Sequence, residues 1–596
     1  MNVKRCLSIF VVLCMLLSSL AVFTLTATAE AINVTDTTTK VVSVYNKATE
    51  TTEELTLGAF MTAAASSDFS GKELTLLENI SLAGVSQSIP NFAGVLNGNN
   101  KTISDLSAPL FATLTGATVK DLTLAGSIES TATTVGALAN TTTATAEEGG
   151  VVTVQNCVNN VAVKGTCSTA AFYVAGFIGQ ANDDLTFISC VNNGNVSSES
   201  AKGTSMGGFV GQTKADASIK LNLTACINNG AITAATGNQQ ALNGGLVGES
   251  KCTLTVKKCV NSGAVSTTST VAGGGHKMGG IVAYNAKGTA TFEACVNNGK
   301  VTSYRIAGGM IGQCDSTLTV SHCINNAEIT TGGDATVNAE SNAGGIVGYM
   351  NGTATILSSV NYQTITAKSN NNDNVFAGGI VSQGLANATI ESCINRGTLV
   401  SDKSVQGGFL GCQNKTDKTV TVSNCLSVGT YEFVGKVAKG TANVGDSNMK
   451  DEANWKAAQA VVYKGYQTRL DTSDFEIRLV VGLNSLNYEN TGFLVYAIEE
   501  EGSPKSMNKN TNTVYTALNA YSTDGSITVN PITAESQDCN YLSAITISGI
   551  PTQGAVTLVI KPYVTAATSE TESEIVYGYG AVIEIVDGVI VSQNAY

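Results

Sequence analysis

The chain of 596 residues has two histidines, His276 in GGGHKMGG and His322 in SHCINN. A zinc peptidase needs H-E-x-x-H or a similar pair, which sets two ligands and a base on one face. Neither histidine has such a partner. A serine-hydrolase triad on either one is outweighed by the plainer reading, a loop or corner histidine. A polysaccharide lyase or glycosidase needs acids gathered with Arg or Lys, or two carboxylates at a set separation. Asp183, Asp184, Asp315, Asp334, Asp373 and Glu391 are instead scattered, as solvated turn acids are. SNNNDNVF (369–376) offers oxygen ligands of the kind calcium takes, but it carries no repeated Asp pattern and reads as a polar loop. Cys167, Cys252, Cys314, Cys412 and Cys539 show no C-x-x-C spacing, which argues against zinc. The sequence therefore predicts no catalytic residue, no cofactor and no metal site.

GGFVGQ (207–212) is the remaining motif that could hold a ligand. A phosphate loop needs a strand before it, a helix after it, and usually a Lys or an acid at fixed distance. No helical segment follows here, and related copies recur along the chain. The second position of these copies is Gly176, Gly208, Gly245, Gly280, Gly309, Gly345, Gly379 or Gly408, preceded by glycine in every copy but the first, where Ala175 stands. Recurrence at this period makes them structural glycines at a tight bend or a close backbone approach.

A second motif, typified by CVNNGNV (190–196), recurs between the glycine motifs. Its anchors are Cys157, Cys190, Cys226, Cys259, Cys295, Cys323, Ser359, Cys393 and Cys425, at steps of 33, 36, 33, 36, 28, 36, 34 and 32 residues. Two places after the anchor stands Asn159, Asn192, Asn228, Asn261, Asn297, Asn325, Asn361 or Asn395, with Ser427 the exception. Positions −3, +1 and +6 are apolar throughout, with Tyr431 the last of the +6 residues. Alternation of two, Thr and Val enrichment and regular glycines predict short strands rather than helices. Three strands in each period predict one coil of a β-helix; a propeller blade would take about 40 residues or more. Coil length varies mainly between the +6 strand and GG, so insertions collect in one loop.

Simple alternation would set the cysteine opposite the core-facing −3 residue. Yet −1 holds Lys258, His322 and Asn424, and a lysine is costly in an apolar core. The spacing predicts a bend just before the anchor that turns the cysteine inward as a small buried hydrophobe. Stacked coils lie roughly 4.8 Å apart, so cysteines and asparagines are expected to form structural ladders, the amides hydrogen-bonding along the axis.

CVNNGNV followed by GGFVGQ resembles the GLUG repeat and related right-handed parallel β-helix repeats of bacterial surface proteins, over roughly 151–434. The resemblance implies an all-β solenoid and says almost nothing of chemistry, although such repeats also occur in some peptidases. Coil 359 departs with Ser359, and GGIVS and GGIVA depart with Ser382 and Ala283; small residues still fit there.

The ends complete the organisation. Residues 1–29 read as a signal peptide: Lys4 and Arg5, an apolar run, then Ala27-Thr28-Ala29. Residues 30–150 read as an N-terminal cap and first coils, with a short helix over Thr56–Ala65 covering the open end. Residues 151–435 hold the repeats and 436–454 a linker. Residues 455–596, with alternation at Phe475, Ile477, Leu479 and Val481, read as a small β-sandwich that resembles Ig-like modules. Loss of the leader takes the net charge from −13 to −15, which repels nucleic acid and anionic lipid. No membrane insertion is expected after cleavage. The sequence-level expectation is a secreted or cell-surface, non-catalytic binding or display scaffold for a glycan or extracellular protein. A polysaccharide-active enzyme and a passive stalk are the alternatives, and the sequence leaves the oligomeric state and the cysteine redox state open.

Overall fold

The computed structural model describes residues 36–450 apart from 145–149, 200–201, 236–239, 268–274, 333–339, 370–373 and 404; it also gives a short strand at 32–33 and, beyond 450, mainly strands within 461–595. The signal-peptide reading, Trp455 and Cys539 lie outside the described residues. The chain forms two compact units, one of residues 18–422 with 427–444 and one holding 423–426 and 445–596.

The first unit is a parallel β-solenoid of about eight turns. It opens on an antiparallel cap. Strand β1 (Lys40–Asn46) pairs antiparallel with β2 (Thr51–Thr56) and with β3 (Lys72–Leu76), and β3 runs parallel to β4 (Val95–Leu106). The hairpin thus covers the first edge of the parallel sheet, which would otherwise template pairing with another chain. Between β2 and β3 lies helix α1 (Leu57–Ala64), within the expected span. Thr56 caps it by accepting from the Ala59 amide at 3.3 Å. Its Phe60 begins a column of rings, Phe60, Phe69, Phe92 and Phe111, with successive centroids 5.9, 6.0 and 4.9 Å apart.

The repeats from Cys190 to Ser359 then contribute five short strands each rather than the three expected; in the first repeat Val158–Gly165 is one strand, and in the last Gln406–Ser423 is. The coil after Cys190 shows Val191–Asn192, Val196–Ser198, Thr204–Gly207, Val210–Thr213 and Lys220–Thr224. The difference has two causes. The two residues after the anchor form a strand of their own, and the GG pair breaks the third strand into a pre-glycine and a post-glycine arm. The residue after GG fills the interior at that break: Phe177, Phe209, Leu246, Ile281, Met310, Ile346, Ile380 and Phe409 are all fully buried. Every strand pairs in parallel with its counterpart one coil on, as in Val154↔Phe187↔Leu223↔Val256↔Phe292.

The expected bend before the cysteine is a left-handed backbone residue at every coil. Asn156, Ser189, Ala225, Lys258, Ala294, His322, Ser358, Ser392 and Asn424 all have φ between 52° and 56°. One such residue reverses the strand's alternation, so −3 and the anchor both face inward and all eight anchor cysteines are buried. The −1 side chain leaves the interior rank of −3 and anchor, though Ala225, His322 and Ser358 remain buried. Lys258 is half-buried, and that burial brings its ammonium down to about 8. Insertions fall where expected: the segment between the +6 strand and the pre-glycine strand ranges from 304–305 to 332–340.

Residues 432–444 form a strand paired in parallel with 407–422, so regular structure continues past 436, where the sequence reading opened a linker. The second unit contains two antiparallel sheets. One includes Val461–Arg469, Phe475–Leu483 and Tyr541–Ile550, the other Asn490–Glu499, Ala555–Ala567, Ala581–Val586 and Val589–Ala595. Ile477 and Leu479 are buried in the first, and Leu558, Ile560, Ile583 and Ile585 in the second.

Candidate functional site

The two repeated motifs meet in the interior. Asn159 donates from Nδ2 to Asn192 Oδ1, and the chain of side-chain amides runs on through Asn228, Asn261, Asn297, Asn325 and Asn361 to Asn395, at 2.7–2.9 Å throughout. Most of these amides use their second N–H on the carbonyl two residues on, as Asn228 does to Gly230 at 2.8 Å. They are fully buried and need such partners. The glycine at the second position of each copy lies directly over this ladder. A Cβ on Gly309 would sit 2.7 Å from Asn325 Cγ, and one on Gly176, Gly208, Gly245, Gly280, Gly345 or Gly379 would collide with its own asparagine. At Gly408 the collision is with Ser427, where the ladder ends. The glycines of GGFVGQ thus serve packing: Gly208 admits the Asn228 amide, and Gly207 and Gly211 admit backbone of neighbouring coils.

The anchor cysteines are equally structural in place. Cys190 Sγ donates to Ile188 O at 3.3 Å and Cys259 Sγ to Lys257 O at 3.2 Å. Burial, and then the neighbouring cysteine, holds the Cys190, Cys259 and Cys323 thiols well above the usual range, the opposite of an activated nucleophile. The histidines are kept apart. His276 is buried at the start of a pre-glycine strand and accepts the Ala241 amide on Nδ1 at 3.2 Å, whereas His322 is a left-handed corner residue. Among the described residues no three His, Cys, Asp or Glu side chains stand together as metal ligands. Asp334, Asp373 and residues 370–373 of the calcium reading lie outside the described residues.

One face gathers polar chemistry. Four residues after the motif's second position, seven of the eight post-glycine strands align Gln180, Gln212, Glu249, Tyr284, Gln313, Tyr349 and Gln383 in register, and the eighth ends the polar rank with Cys412. Around the middle of this rank stand most of its charges. Tyr284 donates to Asp315 Oδ2 at 2.5 Å and Gln313 donates to Asp315 Oδ1 at 2.7 Å. Lys277 Nζ lies 4.6 Å from the Tyr284 ring centroid, a cation–π distance. Gln212 donates to Glu249, which also pairs with Lys251 at 3.0 Å. Arg305 pairs with Glu340 at 3.5 Å. Burial drives the Lys277 ammonium down, with Asp315 and Glu249 opposing. Burial, then Glu340 and Asp315, pushes the Tyr349 phenol up to about 12. Gln212, Glu249, Gln383 and Lys277 are buried within this arrangement, whereas Tyr284, Gln313, Asp315 and Tyr349 are half-buried and give it its accessible phenol, amide and carboxylate groups.

Of the acids singled out in the sequence, the structure brings Asp315 into this cluster; Asp184 instead accepts the Lys220 amide at 2.8 Å. Glu249, Lys277, Tyr284, Arg305, Gln313, Glu340 and Tyr349 were not legible as a group. Lys277, Arg305 and Glu340 precede their GG pairs by different distances, and only coil stacking brings them together. The rank itself had a signal, the polar residue at a constant offset after GG.

This fold and rank define a parallel β-solenoid carrying a polar, tyrosine-bearing face. Residues 69–165, the early coils through the first anchor, match a family model described as the M26 IgA1-specific metallo-endopeptidase N-terminal region. No curated protein and no solved structure matches the chain.

Proposed function

We propose that this is an exported, non-catalytic binding scaffold, with GLUG-like repeats and a C-terminal Ig-like sandwich, that holds a glycan along the post-glycine rank. The observation that carries the reading is the placement of Tyr284 and Tyr349 two coils apart, roughly 9.6 Å at the usual strand spacing. Gln313 and Asp315 lie between them. Phenol rings give an apolar platform with a polar tip, and the carboxylate and amides between them accept and donate to hydroxyls. The regular interior supports this use, because a packed lattice holds the rank without reorganisation.

A second reading rests on the match of residues 69–165. That family is described by its action on IgA1, so a glycoprotein such as IgA1 belongs among the ligands tested. The test is retention of the full chain on immobilised glycans, mucins and IgA1, with Tyr284→Ala/Tyr349→Ala beside it. Saturable binding that the double variant weakens at least tenfold supports the glycan reading. Cleavage of IgA1, or unsaturated sugar ends in a polysaccharide digest, would replace it with an enzymatic one. No binding at all would leave a stalk.

A further inference from the structure

The anchor cysteines occupy six consecutive coils, Cys157 to Cys323, before Ser359 interrupts them. An even run can close completely into neighbouring pairs. Stacked coils lie roughly 4.8 Å apart, inside the usual Cα separation of a disulfide, about 4.4–6.8 Å. The side chains already alternate. The Cys157 amide donates to Cys190 Sγ at 3.4 Å, and the Cys226 amide to Cys259 Sγ at 3.4 Å. In each of these pairs both thiols also point to the carbonyl two residues back, as Cys226 Sγ does to Thr224 O at 3.4 Å and Cys259 Sγ to Lys257 O at 3.2 Å, so the paired sulfurs share one orientation. Beyond the run, the Cys323 amide turns to Ser359 Oγ at 3.2 Å. In the structure all six are thiols.

We propose that the ladder is a modification site that closes into three disulfides between successive coils, Cys157–Cys190, Cys226–Cys259 and Cys295–Cys323. The proposal rests on the exported reading only for the compartment that supplies the oxidant. The oxidant is a small or protein disulfide. One cysteine thiolate attacks it, forming a mixed disulfide and releasing one thiol; the partner thiolate then displaces the second. Two S–H bonds break and one S–S bond forms, and two protons and two electrons leave the pair to turn the oxidant into two thiols. Because the sulfurs are buried, the bridges form as the coils stack. They staple the solenoid along its axis.

The full chain is unfolded, refolded in a mixture of reduced and oxidised glutathione, denatured, alkylated and digested without reduction, and its peptides are identified by mass spectrometry. Three linked pairs in the stated frame are expected, with the other cysteines alkylated. In Cys190→Ser, Cys157 becomes alkylated while the other two pairs persist. Alkylation of all six ladder cysteines in the wild type overturns the proposal, as does the frame Cys190–Cys226 with Cys259–Cys295. The assay reads chemistry alone, so failure of the export reading would leave its result standing.

Discussion

Gly309 lies against Asn325, with room for an amide and none for a methyl group: a Cβ there would come 2.7 Å from Asn325 Cγ and into the Gly345 carbonyl. The carbonyl belongs to the next coil and cannot retreat without moving it. Gly309→Ala is expected to destabilise the solenoid by about 2–3 kcal/mol, the upper range for overpacking. A denaturant midpoint lowered at unchanged slope checks this.

Asn297 sits mid-ladder, accepting from Asn261 and donating to Asn325, both at 2.9 Å. Asn297→Ala leaves a buried carbonyl oxygen on Asn325 and a buried N–H on Asn261 short of a partner. The expected cost is about 2–4 kcal/mol, one to two unsatisfied buried groups, read from urea unfolding. Asn193→Ala breaks the parallel outer pairs with Asn160 and Asn229. Lying nearer water, it is expected to cost under about 1 kcal/mol.

Ala294 holds a φ of 52°, a region that costs an L-residue about 1–2 kcal/mol and glycine nothing. Ala294→Gly is therefore expected to stabilise the chain by about 0.5–1 kcal/mol after glycine's extra chain entropy is counted. Ala290 faces the interior of the preceding strand, and Ala290→Gly is expected to destabilise it. Opposite shifts of the melting temperature for two Ala→Gly changes four residues apart are the observation to seek.

The pH dependence follows from the buried thiols. Cys190, Cys259 and Cys323 hold their protons in the folded chain far above the pH at which an unfolded cysteine loses them. Between those limits the folded state binds more protons, so stability falls as pH rises. It is full below the unfolded thiol value of about 8.5 and declines above it. Lys258, brought down to about 8 by burial, works in the opposite direction and gains stability as pH rises, so the sign is tested on the difference between reduced wild type and Cys190→Ser in unfolding midpoints at pH 7.5 and pH 10. The disulfide form, having no thiols to titrate at these sites, is expected to lose this component.

The repeat period, the inward cysteine, the asparagine ladder and the short helix at Leu57–Ala64 were all legible in the sequence, because each depends on local rules, whereas the hairpin that covers the sheet's first edge was not. A lysine at −1 beside an apolar −3 already required a backbone reversal, and nine residues near φ 54° supply it. Even the glycines could be assigned to scaffold from their recurrence. What they make room for could not be read, since Gly309 and Asn325 touch through the interior and not along the chain. The polar face was hidden for the same reason. Lys277 and Tyr284 share a coil but flank its GG pair, and Asp315 belongs to the next coil, all at different offsets from their anchors, so no one-dimensional alignment joins them. Periodicity along the chain determined the solenoid, whereas the residues that become neighbours across and between its coils were decided only by stacking in three dimensions.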